Sequence, residues 1–218
     1  TQQWDGAYVH LDKLLEILPD TAEAWPAVVS RQIMVLGHLN RLTEARRLFV
    51  QSARRSPANR KRFASAYEDI IAVRLKYLIE EEEYVKAYNE AVSLLEVIPD
   101  SEVALRCLIN MSQTLKYDDE FHRYAELGYN LYPEVPYFIV KQAISLQEQG
   151  RNTEALALLD PRNNSDEYAN PQLTAAYSGI SQEWATHLME NKMPDIAMEV
   201  IDSALIHDSN NRELLYTK

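Results

Sequence analysis

Along the chain, apolar residues recur three and four positions apart, in stretches cut by proline or by short polar turns. That period belongs to amphipathic helices rather than to strands. KLLEILPDTAEAW at 13–25 and SLLEVIPDSEVAL at 93–105 match at Leu, Leu, Glu, a branched apolar residue, Pro, Asp and a hydroxyl residue, which marks an internal repeat. Weaker copies stand at LGYNLYPEVPYF (127–138) and SALIHDSNNREL (203–214). Upstream of each stop a small residue follows a short polar turn, at Ala7, Ala45, Ala87, Ala155 and Ala197, with Phe121 in that place in one copy. Successive spacings of 38, 42, 34, 34 and 42 residues have the length of a helix pair. From Ala7 to Pro19, Ala45 to Pro57, Ala87 to Pro99 and Phe121 to Pro133 the distance stays at twelve residues. The second helix of each pair is therefore constant, and the variation sits in the first helix or the connection before it. A small side chain lets two antiparallel helices approach, and a proline after the last turn stops the second one. DTAE at 20–23 and NNRE at 210–213 predict capping-box starts for the helices that follow.

This pattern resembles the tetratricopeptide repeat. The residues that carry the resemblance are the small residue early in the second helix, an aromatic or aliphatic residue four positions on (Leu11, Phe49, Leu159, Ile201), Ala or Ser three further (Ser52, Ala204), and the closing proline. The Gly and Trp expected in the first helix are mostly missing, with Trp25 and Trp184 nearby but out of phase. The 42-residue units also exceed the family's period of about 34. The resemblance implies an all-α fold, a right-handed α-solenoid of stacked antiparallel helix pairs forming a single array over 1–218. Its divisions are a second helix of a preceding unit at 1–19, five units at 20–58, 59–100, 101–133, 134–168 and 169–209, and the start of a truncated first helix at 210–218. Such an array begins and ends inside helix pairs without polar capping helices, as expected of a piece of a longer bacterial repeat protein.

In this family the first helices line a concave groove. Counting back from each second-helix marker, the resemblance assigns to that groove Ser30, Met34 and His38; Lys76 and Glu80; Arg106, Asn110 and Gln113; Tyr137, Val140, Ile144 and Gln147; and Gln182, Thr186 and Met189. Some members grip a terminal carboxylate with Lys, Arg and Asn residues over three successive units. Arg106 and Asn110 match the first two roles, but Lys141 stands where Asn is expected, and Gly179 and Glu183 stand where two basic residues are expected. A carboxylate clamp is therefore rejected, leaving a groove of amides and apolar residues.

Composition narrows the chemistry. Only 5 of 218 residues are glycine and 46% are hydrophobic, which suits a helical core. The balance of 22 basic against 33 acidic residues, net -11, repels nucleic acid. The single cysteine, Cys107, excludes an internal disulfide and a cysteine-based metal cluster. No apolar run is long enough to insert in a membrane, and the first residues, TQQWDGAY, lack the basic head and apolar stretch of a signal peptide, so a targeting segment is expected only upstream of Thr1. The five histidines are scattered and only Asp119 and His122 pair at helical spacing, so neither a metal, a cofactor nor catalysis is expected. Glu80–Glu83 reads as a solvated turn. Between 41 and 62 stand Arg41, Arg46, Arg47, Arg54, Arg55, Arg60, Lys61 and Arg62 against one acid, Glu44. That basic stretch is expected to be neutralised by Glu68, Asp69, Glu80–Glu83 and Glu90. Of the 13 tyrosines, those such as Tyr124, Tyr129 and Tyr132 have core spacing.

These features lead to the expectation of a non-enzymatic scaffold holding a protein or peptide in its groove, with self-association through cut repeat ends as a further one. The alternative is an accessory arm of a larger envelope exporter or enzyme, guiding a polymer such as a polysaccharide. Periplasm or cell envelope is preferred to cytoplasm on resemblance alone.

Overall fold

The structure is a computed structural model that describes residues 2–160 and 170–217; the end of the predicted unit 134–168, the first residue of 169–209 and the chain's two terminal residues lie outside them. Among the described residues there are twelve α-helices and no strand. They are α1 (Gln2–Ile17), α2 (Trp25–His38), α3 (Leu42–Arg55), α4 (Arg60–Glu80), α5 (Tyr84–Val97), α6 (Glu102–Leu115), α7 (Asp118–Leu131), α8 (Pro136–Glu148), α9 (Asn152–Leu159), α10 (Pro171–Glu190), α11 (Pro194–His207) and α12 (Arg212–Thr217). No described helix is long and apolar enough to cross a membrane. The helices gather into two compact units, Thr1–Leu115 and Lys116–Lys218.

The helix stops follow from two devices. Where α1, α3, α5 and α7 end, the next residues are Leu18, Ser56, Ile98 and Tyr132, each followed by proline. Proline lacks the amide for another helical turn and pushes its predecessor out of the α region, and Ser56, Ile98 and Tyr132 sit at ψ 78, 84 and 59. At α11 Asp208 takes the same backbone, φ -139 and ψ 69, without a proline after it. The opposite turns, after α2, α4, α8 and α10, are Schellman turns. One residue adopts positive φ at Asn40, Glu82, Gly150 and Lys192, and the next amide reaches back to the carbonyl of Leu36, Leu78, Leu146 or Leu188 at 2.8–2.9 Å. Lys116, before α7, also has positive φ (60).

In the first unit α2 packs on α1, α3 and α4, and α4 on α3 and α5, which in turn packs on α6. The predicted small positions Ala45 and Ala87 are fully buried, as are Phe49, Phe63 and Leu94. Rings meet edge-on at Trp25 and Phe63 (5.7 Å) and stack at Phe49 and Tyr67 (5.4 Å). Burying each such side chain contributes about 1.5–3 kcal/mol. Cys107 is buried, its thiol directed at the Ala87 carbonyl oxygen at 3.9 Å and pushed by burial up to about 12, so it stays protonated.

In the second unit α8 packs on α7, α9 and α10, and α10 also contacts α9, α11 and α12. Ala155, Leu159, Ala197, Ile201 and Ala204 form its buried spine, and Phe121 is buried where the other copies carry alanine. Tyr124 is in the core, whereas Tyr129 and Tyr132 are half-buried.

Two sequence expectations change. DTAE does not cap α2: the helix begins at Trp25, with Ala24 at its N-cap, Pro26 in its first turn and no side-chain cap, four residues past Asp20, which meets Arg55 at 3.4 Å. NNRE shifts by one residue, since the Asn211 side chain, not Asn210, accepts the amides of Glu213 and Leu214 at 3.1 and 3.3 Å.

Candidate functional site

The side chains assigned to a groove lie on α2, α4 and α6 in the first unit and on α8 and α10 in the second. In the first unit they are spread out. Met34 is exposed and His38 stacks on Trp4, ring centroids 3.9 Å apart; together with Gly37, Asp69, Ile70 and Val73 they line a shallow pocket of about 140 Å3. Ser30 is half-buried, its hydroxyl without a partner among the described residues. Lys76 and Glu80 form an exposed pair at 3.8 Å. Arg106 is held by Glu102 on its own helix at 2.7 Å, beside an exposed Asn110 and a half-buried Gln113.

The second unit is different. Tyr137, Val140, Ile144 and Gln147 follow one another every three or four residues along α8, and all four enter a pocket of about 500 Å3. The opposite wall is α10, through Gln172, Ala176, Gly179, Ile180 and Glu183. Val140, Ile144, Ala176 and Ile180 make its floor apolar, while Lys141, Gln147, Gln172 and Glu183 supply polar groups. The Gln147 amide donates to the Glu183 carboxylate at 2.5 Å and ties the two helices together across the pocket. Lys141 lies 5.7 Å from the Tyr137 ring centre; burial holds its ammonium below the usual lysine range, against the pull of Glu148 upward. Among the described residues nothing stands within 4 Å of where a side chain on Gly179 would project.

Gln182, Thr186 and Met189 do not line this pocket. Thr186 bonds the Gln182 carbonyl of its own helix at 2.9 Å. At 100° per residue these three lie roughly a quarter turn from the face formed by Gln172, Ala176, Gly179 and Glu183. Counting back from Ala197 reaches the C-terminal half of the 20-residue α10, whereas the wall runs from Gln172 to Glu183. The wall begins at the very start of the helix, where Asn170 caps it by accepting the Gln172 amide at 2.9 Å and Pro171 opens it.

Elsewhere, His122 meets Ser145 Oγ at 3.0 Å and Glu148 at 3.9 Å, and it lines a pocket together with Asp119. No group of three or more His, Cys, Asp or Glu is placed to hold a metal among the described residues. The basic stretch is neutralised only in part, and not by the acids expected. Arg41 pairs with Glu44 (2.6 Å), Arg46 with Glu96 (3.0 Å) and Arg55 with Asp20, while Glu68 accepts from Ser101 at 2.5 Å.

No protein-family model matches the sequence, and no curated protein matches it. Solved structures do. YrrB, described as a TPR protein with an unusual peptide-binding site, superimposes with a TM-score of 0.51 at 14% identity over 94% of this chain and 96% of its own. The fold is that of the tetratricopeptide repeat. A chain of the Naa15/Naa10 complex bound to HypK-THB matches with a TM-score of 0.53 at 13% identity, over 99% of this chain and 31% of its own. BtubC from P. vanneervenii matches with a TM-score of 0.50 at 11% identity, over 95% of this chain and 89% of its own. The pocket lies between α8 and α10, the helices that carry the side chains expected of a groove in 134–168 and 169–209.

Proposed function

We propose that this chain is a non-enzymatic interaction scaffold that holds a protein or peptide segment, with the α8/α10 pocket as the anchor for an apolar side chain of that segment. The observation that carries this reading is the pocket itself: an apolar floor open at Gly179, with a rim whose polar groups are already held by Gln147 and Glu183. Two rigid helices present these groups in place, which lowers the ordering cost of binding. Amides at the rim suit the peptide backbone, and the floor suits an aliphatic or aromatic side chain. The peptide-binding site named for YrrB belongs to that protein and supports the reading by analogy of fold.

The test is selection of ligands from a random peptide library displayed on phage, followed by titration against the wild type, Gly179→Trp, Ile144→Glu and Thr186→Ala. Filling the pocket or charging its floor is expected to weaken the selected peptides by about tenfold or more, while Thr186→Ala leaves them unchanged. Peptides that bind Gly179→Trp as tightly as the wild type would sink the proposal. The second reading, an accessory envelope arm guiding a polysaccharide, draws on Tyr137, Gln147 and Gln172 at the same rim. It predicts that neutral oligosaccharides, and not peptides, shift the amide signals of these residues.

A further inference from the structure

Helix α4 carries its charges against the helix dipole. Acidic groups are favoured in a first turn and basic groups in a last one, but α4 opens on Arg60, Lys61 and Arg62 with no acid and no side-chain cap, and closes on Glu80 with no base. Glu81, Glu82 and Glu83 follow, all exposed. The last turn of α3 adds Arg54 and Arg55 at the basic end. The field along α4 is thereby enlarged where an ordinary surface helix would cancel it.

One face of α4 is also uncovered over its whole length. Arg62, Ser65, Asp69, Val73, Lys76, Tyr77 and Glu80 recur every three or four residues and are all exposed, Val73 at 72% and Tyr77 at 51%. Arg62 and Glu80 are five helical turns, about 27 Å, apart and point the same way. Neither Arg62 nor Asp69 has an ion-pair partner among the described residues, and the Lys76–Glu80 pair is long and exposed, worth little. The charge order along the face is plus, minus, plus, minus at Arg62, Asp69, Lys76 and Glu80. Read from the other end it is the complement of itself.

We propose that this face binds a second copy of the same chain, α4 against α4 in antiparallel order about a two-fold axis that crosses the exposed face at the level of Ile71, whose own side chain is buried on the opposite face. Arg62 of each copy then faces Glu80 of the other, Asp69 and Lys76 come within reach across the axis, and Val73 and Tyr77 provide the apolar centre. Antiparallel pairing brings the two enlarged fields together with opposite sense, the arrangement in which they attract. Self-complementarity of a single patch is what a two-fold interface requires. One helix face against another buries on the order of 1,000 Å2 in total, the low end for specific association, so the dimer forms at roughly tens of micromolar and comes apart on dilution.

Sedimentation equilibrium of the full chain at about 50 mM and about 500 mM salt tests this. The wild type is expected to dimerise at low salt and to weaken several-fold at high salt. Arg62→Glu alone and Glu80→Arg alone are each expected to weaken the dimer by about tenfold. Mixing these two variants restores a heterodimer, and the double reversal Arg62→Glu/Glu80→Arg restores a homodimer. The rescue separates a lost contact from a lost fold. A chain that stays monomeric at low salt up to millimolar concentration overturns the proposal. So does a dimer indifferent to both reversals, including one broken by Leu215→Glu, which would place the contact at the chain's end. Gly179→Trp, in the other unit, is expected to leave this dimer intact, so the two proposals fail independently.

Discussion

Gly128 and Gly179 both sit inside helices of the second unit, and their surroundings make opposite demands. A side chain at Gly128 would drive into the rigid Phe138 ring, whereas Gly179 has open space. Alanine at Gly128 therefore forces α7 and α8 apart, an overpacking cost of about 1–3 kcal/mol that exceeds the roughly 1 kcal/mol gained in helix propensity. Alanine at Gly179 gains that propensity at no steric cost and should raise stability by about 0.5–1 kcal/mol. Chemical denaturation of both variants, compared by midpoint, checks the pair, and equal shifts would contradict it. At this scale the sequence was informative where one residue type carries one meaning. Ala45, Ala87, Ala155 and Ala197 are buried as their spacing requires. Gly128 was illegible, since its role depends on a ring ten positions away across a helix pair. The same holds for Gln172, Ala176 and Ile180: the pocket wall they form depends on how early α10 begins, which the repeat count did not reveal.

Among the elements, the proline stops could be read directly, because a missing amide ends a helix whatever surrounds it. The Schellman turns could not. Their geometry needs one left-handed residue, ordinarily glycine, yet only Gly150 meets that expectation, while Asn40, Glu82 and Lys192 hold the same positive φ with a side chain in place. A left-handed lysine carries strain that glycine relieves. Lys192→Gly should accordingly stabilise the protein by about 0.5–1 kcal/mol, and Gly150→Ala should destabilise it by a similar amount. Thermal unfolding followed by circular dichroism reads both, and a Lys192→Gly variant less stable than the wild type would show that its turn is not under strain. The expected capping boxes moved because each helix start is set by the turn before it: α2 begins at Trp25, beyond DTAE, and Asn211 rather than Asn210 caps α12.

For the whole chain, each helix packs chiefly on neighbours one or two elements away in sequence, so few long loops must close before contacts are rewarded. Topologies of this kind fold in milliseconds or less. Stopped-flow circular dichroism from denaturant should show the main helical amplitude returning on that timescale, and a dominant phase in seconds would contradict it. The all-α class was legible from period and composition, because helical periodicity is set locally. The charge clusters at 41–62 and 80–83 were legible in the letters, but not that a single helix, α4, joins their inner ends. Finally, the turns at Asn40, Glu82 and Lys192 bear on descent. If a left-handed position costs only about 1 kcal/mol when glycine is lost, a lineage can exchange its glycines one at a time without ever unfolding. The residues that usually mark such turns can then wear away while the backbone they supported persists.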